Sequence, residues 1–191
     1  MRIISGKAGG ISLSVPKGEV RPTTDRVREA LFSILNPLIE QADVLDLFTG
    51  SGAFGLEALS RGARSSRMVD FSRLSCATAK ANLEKTGLNE GVVIQGDAVQ
   101  FVKRELLSGR KYDIVFADPP YCKGPADRDF IAELVEAGVA GLLKKRGLFI
   151  AEVQEGWGTG RDGSAEYDEL DLTDSRRYGK NMLLFYQLPE K

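Results

Sequence analysis

Residues 44–55, VLDLFTGSGAFG, limit the fold more than any other stretch of the chain. An apolar run, Val44 to Phe48, passes into Gly50, Gly52 and Gly55 in G-x-G-x-x-G spacing, and from there into the helical pattern of Ala53 to Arg61. A strand that feeds a helix through a glycine turn belongs to a parallel α/β sheet, whose ligands bind beyond the carboxyl ends of the strands. The same alternation continues downstream. SRMVD (66–70), GVVIQGD (91–97), YDIVFADPP (112–120) and LFIAEV (148–153) are short, nearly continuous apolar runs that read as strands buried on both faces. Between them Leu74, Ala77, Thr78 and Ala81, and later Phe130, Ile131, Leu134 and Val135, carry helical spacing.

The flanks add an element at each end. RPTTDRVREALFSIL places Val27, Ala30, Leu31, Ile34 and Leu35 on one helical face, with Thr24 as the expected N-cap, Asp25 in the first turn and Pro37 just past the end. Residues 1–20 alternate weakly around four glycines and read as a small β-hairpin. YDELDLTDSRRYGKNMLLFYQL reads as two strands joined near Tyr178-Gly179-Lys180, an antiparallel hairpin that closes a sheet edge. Five runs and two hairpin strands make a mostly parallel seven-stranded sheet with helices on both faces. The 191 residues suit one domain. Its expected parts are a hairpin-and-helix extension over 1–38 and a core over 42–191. QEGWGTGRDGSAEYD (154–168) is expected to be a loop, with Trp157 as its packing anchor.

Composition removes whole classes of chemistry. The chain has no histidine, so a Ser-His-Asp triad and a histidine base are excluded, and two cysteines cannot build a structural zinc site; no metal is expected. Cys76 and Cys122 are expected as free thiols of a cytoplasmic protein, since the start lacks the apolar core of a signal peptide and no run reaches membrane-spanning length. With 26 basic against 27 acidic residues, any nucleic-acid contact must use a local patch.

The glycine fingerprint admits a dinucleotide, another cofactor, or a tight turn that binds nothing. Asp70 suits the ribose of NAD, but Asp46 would face the pyrophosphate with negative charge and suits a cation better. S-adenosyl-L-methionine is such a ligand, and Asp46-x-x-x-Gly50-x-Gly52 resembles the first motif of the Rossmann-like class I methyltransferases. That resemblance implies that Gly50, Ser51 and Gly52 pack against the methionyl part and that Asp46 answers its amino group. It further implies that Asp70 takes the ribose hydroxyls and that Asp97, followed by Ala98, meets the adenine. Asp97 is equally suited to cap the helix AVQFVKREL.

The tetrapeptide Asp118-Pro119-Pro120-Tyr121 ends the fourth run. Neither proline has an N–H, so strand pairing stops there, and Asp118 is held extended before a proline. A carboxylate and a backbone carbonyl are left side by side, suited to grip the two hydrogens of an exocyclic base amine and aim its lone pair at a methyl group. Asp118 stabilises the positive charge that develops, and Tyr121 stacks on the base. Amino-group methyltransferases acting on adenine or guanine share this motif, so it names a reaction and leaves the substrate open.

MRIISGKAGG, RPTTDRVREALFSIL, VLDLFTGSGAFGLEALSRGA, DIVFADPPY and RRYGKNMLLFYQ, in this order, resemble the bacterial guanine-N2 methyltransferases of 16S ribosomal RNA that modify guanine 966. The resemblance implies 16S rRNA as partner, within a small ribosomal subunit or its assembly intermediate. A flipped or unpaired guanine fits such chemistry. Arg2, Lys7, Lys17, Arg21, Arg26 and Arg28 form a basic N-terminal set for RNA. Relatives commonly carry more charge where this chain has AGGISLSVPKG; Arg176, Arg177 and Lys180 compensate, or serve to keep an edge from pairing. Three other readings stay open: a DNA adenine-N6 methyltransferase, a catalytically silent RNA-binding protein, and an NAD oxidoreductase.

Overall fold

The computed structural model describes residues 1–16, 25–120, 127–156 and 167–190. Lys17, Arg21, Thr24, Tyr121, Cys122 and Trp157 lie outside them. Seven strands form one sheet: β1 (Asp43–Leu47), β2 (Ser65–Asp70), β3 (Gly91–Gln95), β4 (Tyr112–Ala117), β5 (Leu143–Gln154), β6 (Asp171–Tyr178) and β7 (Asn181–Gln187), in the order β3-β2-β1-β4-β5-β7-β6. The helices are α1 (Asp25–Ile39), α2 (Ala53–Ser60), α3 (Arg73–Thr86), α4 (Ala98–Leu107) and α5 (Phe130–Glu136). Among the described residues no helix is long and apolar enough to cross a membrane.

The chain divides into two compact units, Met1–Ala98 and Val99–Lys191. In the first, β1, β2 and β3 pair in parallel, with Asp46 opposite Met68 and Asp70 opposite Gln95. Val44, Leu45, Leu47, Met68 and Val69 are fully buried, as their continuous apolar runs predict. Gly55 lets α2 press onto β2, since a Cβ there would stand 2.6 Å from both Met68 Cγ and Ser66 Oγ. β3 departs from the expectation of burial on both faces. It is the edge strand, and Val92 is half exposed.

Two helices of this unit also differ from the sequence reading. α1 continues through Pro37 to Ile39. The proline N–H is missing only from the last turn, and the buried Ile39 closes that turn. The inward face of α1 is Val27, Arg28, Leu31, Phe32 and Leu35, so Arg28 and Phe32 displace Ala30 and Ile34. α3 turns Ser75, Cys76, Ala79 and Asn82 inward, while Leu74, Ala77 and Ala81 face outward. Its inner face needs small side chains to lie against the glycine turn: a Cβ on Gly52 would already be 3.3 Å from that of Ala79.

The N-terminal hairpin is minimal, with one antiparallel bridge between Arg2 and Ser12. Hydrogen bonds to α2 hold it in place. Ile4 and Ser5 N–H donate to the Glu57 carboxylate at 2.7 and 3.0 Å, and Ala8 N–H donates to Ser60 Oγ at 3.0 Å. The expected extension is therefore stitched to the strand-turn-helix core.

In the second unit β4 and β5 are parallel, and β7 pairs antiparallel with both β5 and β6. Ile114, Val115, Phe149, Ile150, Leu183, Leu184 and Tyr186 make its core. β5 starts five residues earlier than its apolar run. The charged LKKRG joins through an irregular register between Tyr112 and Ile114, and Lys144 pairs with Asp113 at 2.6 Å. The terminal hairpin forms as expected, with Gly179 at φ 65 in its turn.

Candidate active site

The turn after β1 is built by three side chains that accept or donate from below. Gly50, at φ 54, is the first central residue of a turn closed by Gly52 N–H donating to Thr49 C=O at 2.8 Å. A positive φ is what that position of a hairpin-type turn requires. Asp46 Oδ2 accepts from Thr49 Oγ1 at 2.5 Å and from Gly55 N–H at 3.0 Å. Asp70 Oδ2 accepts from Gly50 N–H at 2.8 Å, and its Oδ1 accepts from Ser72 N–H at 2.8 Å. The carboxylates therefore tie β1, the glycine turn, α2 and the end of β2 into one structure. Gly52 then caps α2 at φ 82 without a side-chain hydrogen bond.

The two acids have different surroundings. Asp46 is 1% exposed, and burial pushes its carboxyl up to about 7 against the hydrogen bonds from Thr49 and Gly55 that favour the charged form. It lies beneath the turn, with Oδ2 held by the turn's own Thr49 hydroxyl and Gly55 N–H. Asp70 is half-buried. Asp97 is half-buried two residues beyond β3, and Gly96 N–H donates to Asp70 C=O at 2.9 Å, so the ends of β2 and β3 are joined. Ala98 begins α4 and is buried. The structure thus brings Asp46, Gly50, Ser51, Gly52, Asp70 and Asp97 to one end of the first unit.

Two residues here gave no signal to the sequence reading. Phe71 follows Asp70 with 78% of its surface exposed, an aromatic face beside a strand-end acid. Asn82 of α3 is 1% exposed and donates to Ser51 C=O at 2.8 Å. Cys76 is a free, buried thiol that donates to Asp70 C=O at 3.3 Å.

In the second unit β4 stops at Ala117, one residue before Asp118. Asp118 is half-buried, Pro119 buried and Pro120 exposed. Ala117 lies opposite Ala151 and Gln154 opposite Asn181, which puts the β6–β7 turn at the same end of the sheet as the two prolines. Glu152, near that end of β5, is 1% exposed and accepts from Asn181 Nδ2 at 2.6 Å. Lys180 is exposed in the turn; Arg176 pairs with Asp174 at 2.9 Å and Arg177 with Glu155 at 2.8 Å.

Of the N-terminal basic set, Arg2, Lys7 and Arg26 are exposed. Arg28 is not a surface cation. It is 2% exposed, donates to Arg2 C=O and to Asp25 Oδ1, and lies 4.0 Å from Glu57. Burial lowers its pKa, and the charges of Asp25 and Glu57 oppose that shift. Glu57 is itself fully buried and pairs with Arg61 at 2.7 Å. In place of the expected RNA contact, Arg28 belongs to a buried ionic cluster under the hairpin.

The family model described as Conserved hypothetical protein 95 matches residues 1–187. The chain belongs to this family. It is 42% identical to the Escherichia coli "Ribosomal RNA small subunit methyltransferase D" over 65% of this chain and 62% of that protein, so the match spans about six tenths of that relative's length. It is 34% identical to the Bacillus subtilis "Putative rRNA methyltransferase YlbH" over 98% of both. The solved structure named "Putative methyltransferase yhhF" from Escherichia coli superposes with TM-score 0.80 at 33% identity, covering 98% of this chain and 97% of the other. The Conserved hypothetical protein 95 fold in this chain is thus that of the Rossmann-like methyltransferases.

Proposed function

We propose that the chain is an S-adenosyl-L-methionine-dependent methyltransferase acting on the exocyclic N2 amine of one guanine, of the position 966 type, in 16S ribosomal RNA. The observation that carries this reading is the end of β4, where Asp118 and two residues without N–H groups follow the buried run of residues 114–117. The rRNA methyltransferase relatives from Escherichia coli and Bacillus subtilis support the substrate class.

The residues of the first unit fit the cofactor. From Asp43 to Ser60 the chain has no Lys or Arg, and Asp70, with Asp46 where it is ionised, brings negative potential to the turn, which suits a cation and repels a pyrophosphate. Gly50, Ser51 and Gly52 would lie along the methionyl part, Asp70 would hold the ribose, and Asp97 with Ala98 would border the adenine. Phe71 would cover a ring face. When bound, the cofactor supplies a sulfonium methyl open to in-line displacement.

The Asp118 carboxylate and the Pro119 carbonyl accept the two hydrogens of the guanine amine, which localises its lone pair. Asp118 then stabilises the positive charge that develops on nitrogen as the methyl arrives, and one of the two amine protons is lost through the Asp118 hydrogen bond to leave a neutral methylated amine. Holding both partners in line accounts for several kcal/mol, up to about 7–11 in favourable model reactions. Pro120 fixes the chain direction after the motif, and Tyr121 would stack on the base. Arg2, Lys7, Arg26 and Lys180, with Arg176, Arg177 and Arg21, would meet RNA phosphates.

Labelled methyl transfer to 16S RNA, offered free and within small subunits, tests the proposal. The expected product is a single N2-methylguanine located by mass mapping. Label confined to adenine of duplex DNA, or no transfer to either nucleic acid, would overturn it.

A further inference from the structure

We propose that Asn82 is a positioning residue for the cofactor: its carboxamide locks the Ser51–Gly52 peptide plane in the orientation that receives S-adenosylmethionine. This rests on the reading of Gly50–Gly52 as the cofactor turn.

A peptide presents its N–H and C=O on opposite edges. On one edge of this plane Gly52 N–H donates to Thr49 C=O at 2.8 Å; on the other, Ser51 C=O accepts from Asn82 Nδ2 at 2.8 Å. Flipping the plane would break both bonds. Ser51 is 6% exposed, so water cannot readily replace the lost partner. The flip turns ψ of Ser51 and φ of Gly52, and Gly52, at φ 82, takes either sign of φ at little cost. Without the lock the turn would populate more than one conformation.

The carboxamide is itself held. Asn82 Oδ1 accepts from Ser14 N–H at 2.9 Å, and Nδ2 also donates to Ser14 C=O at 2.9 Å. A rotated amide would place Nδ2 against the Ser14 N–H, so the pairing with Ser14 selects the rotamer that serves Ser51. One donor of the side chain thus fixes the Ser51–Gly52 plane, while the other donor and the carbonyl, both on Ser14, fix the side chain itself. Mid-helix asparagine is a weak helix former, and burial at 1% exposure gives it no solvent role. A turn that adopts the binding geometry only a tenth of the time binds about tenfold more weakly.

Calorimetry of S-adenosylmethionine binding to the full chain tests the proposal, with a methyl-transfer assay alongside. Asn82→Ala and Asn82→Asp are both expected to raise Kd and the cofactor KM at least about fivefold, with kcat at saturating cofactor within about twofold of the parent. Asn82→Asp keeps the acceptor for Ser14 N–H and sets an oxygen against the Ser14 and Ser51 carbonyls, so it breaks the lock without the void left by Asn82→Ala. Leu83→Ala, one position along the same helix, should lower the melting temperature without changing Kd. Unchanged Kd in both Asn82 variants, or an equal rise in Leu83→Ala, overturns the proposal. Gly52→Val, strained at φ 82, separates the two levels. If it too leaves Kd unchanged, the reading of the turn has failed; if it abolishes binding while the Asn82 variants do not, only the role of Asn82 has.

Discussion

The turn after β1 and the turn after β4 end buried strands with opposite chemistry. Glycines leave every N–H in place after β1, and the structure assigns those of Thr49, Gly50, Gly52 and Gly55 to Val69 C=O, Asp70, Thr49 C=O and Asp46. Prolines remove the N–H groups after β4, so Asp118, Pro119 and Pro120 present acceptors. The first turn is a scaffold in which carboxylates accept from backbone N–H groups and the Thr49 hydroxyl. The second, in the function proposed above, is an acceptor site for an amine. Changes on the glycine side should register mainly in stability and cofactor affinity, and changes on the proline side mainly in rate.

Glu57 provides the strongest expected effect on stability. Fully buried on α2, it accepts from Ile4 and Ser5 N–H and faces Arg28 and Arg61. Glu57→Ala leaves Arg61 without this anion, the buried Arg28 with Asp25 in place of two carboxylates, and two N–H groups without an acceptor. Removing one partner of a buried ion pair costs about 3–5 kcal/mol. Urea unfolding should show that loss. A change under about 1 kcal/mol would mean that the hairpin is not anchored here.

Asp118→Ala should do the reverse. Loss of one partner to transition-state charge lowers kcat by at least about 100-fold, or about 2.7 kcal/mol. Unfolding should stay close to the parent. A comparable loss of stability in this variant would erase the distinction between the two turns.

What the sequence revealed follows the same division. The glycine turn, β1, β2, β4 and the terminal hairpin were legible because apolar runs meet residues with special backbone requirements. The start of β5 was not, because LKKRG looks like a loop until Lys144 is seen to pair with Asp113. The buried Arg28 and Glu57 were hidden for a related reason: charge reads as surface unless its partner is known, and Glu57 is 29 positions from Arg28 in the chain. Asp46 was legible as a residue at the end of β1, but its work beneath the turn depends on Thr49 and Gly55 closing over it. Asn82 has no pattern to betray it. Its role exists only because α3 lies between Ser14 and Ser51.

Asp46 makes the glycine side sensitive to pH. Its carboxyl is near 3.8 when solvated and about 7 when folded, so between these values the native chain keeps a proton that the unfolded chain has released. Stability from this group is complete below the unfolded value and falls as pH rises through the folded one. The decline between about pH 5 and 7 should be on the order of 2 kcal/mol, and Asp46→Asn should flatten it. A bound cation favours the ionised form. Cofactor binding near neutral pH should therefore release part of a proton, detectable by calorimetry in buffers of different ionisation enthalpy. Equal stability at both ends of the range would mean that Asp46 is ionised in the folded protein.

Phe71 carries the smallest effect and separates scaffold from ligand contact most cleanly. With 78% of its surface exposed, it contributes little to the core, and Phe71→Ala should leave unfolding within about 0.5 kcal/mol of the parent. If the ring covers the cofactor's adenine beside Asp70, the variant loses an aromatic stacking contact of about 0.5–1.5 kcal/mol. That predicts a cofactor Kd about two- to twelvefold higher, with Phe71→Leu in between. An unchanged cofactor Kd with a raised RNA KM would move Phe71 out of the cofactor site and make it part of the RNA surface.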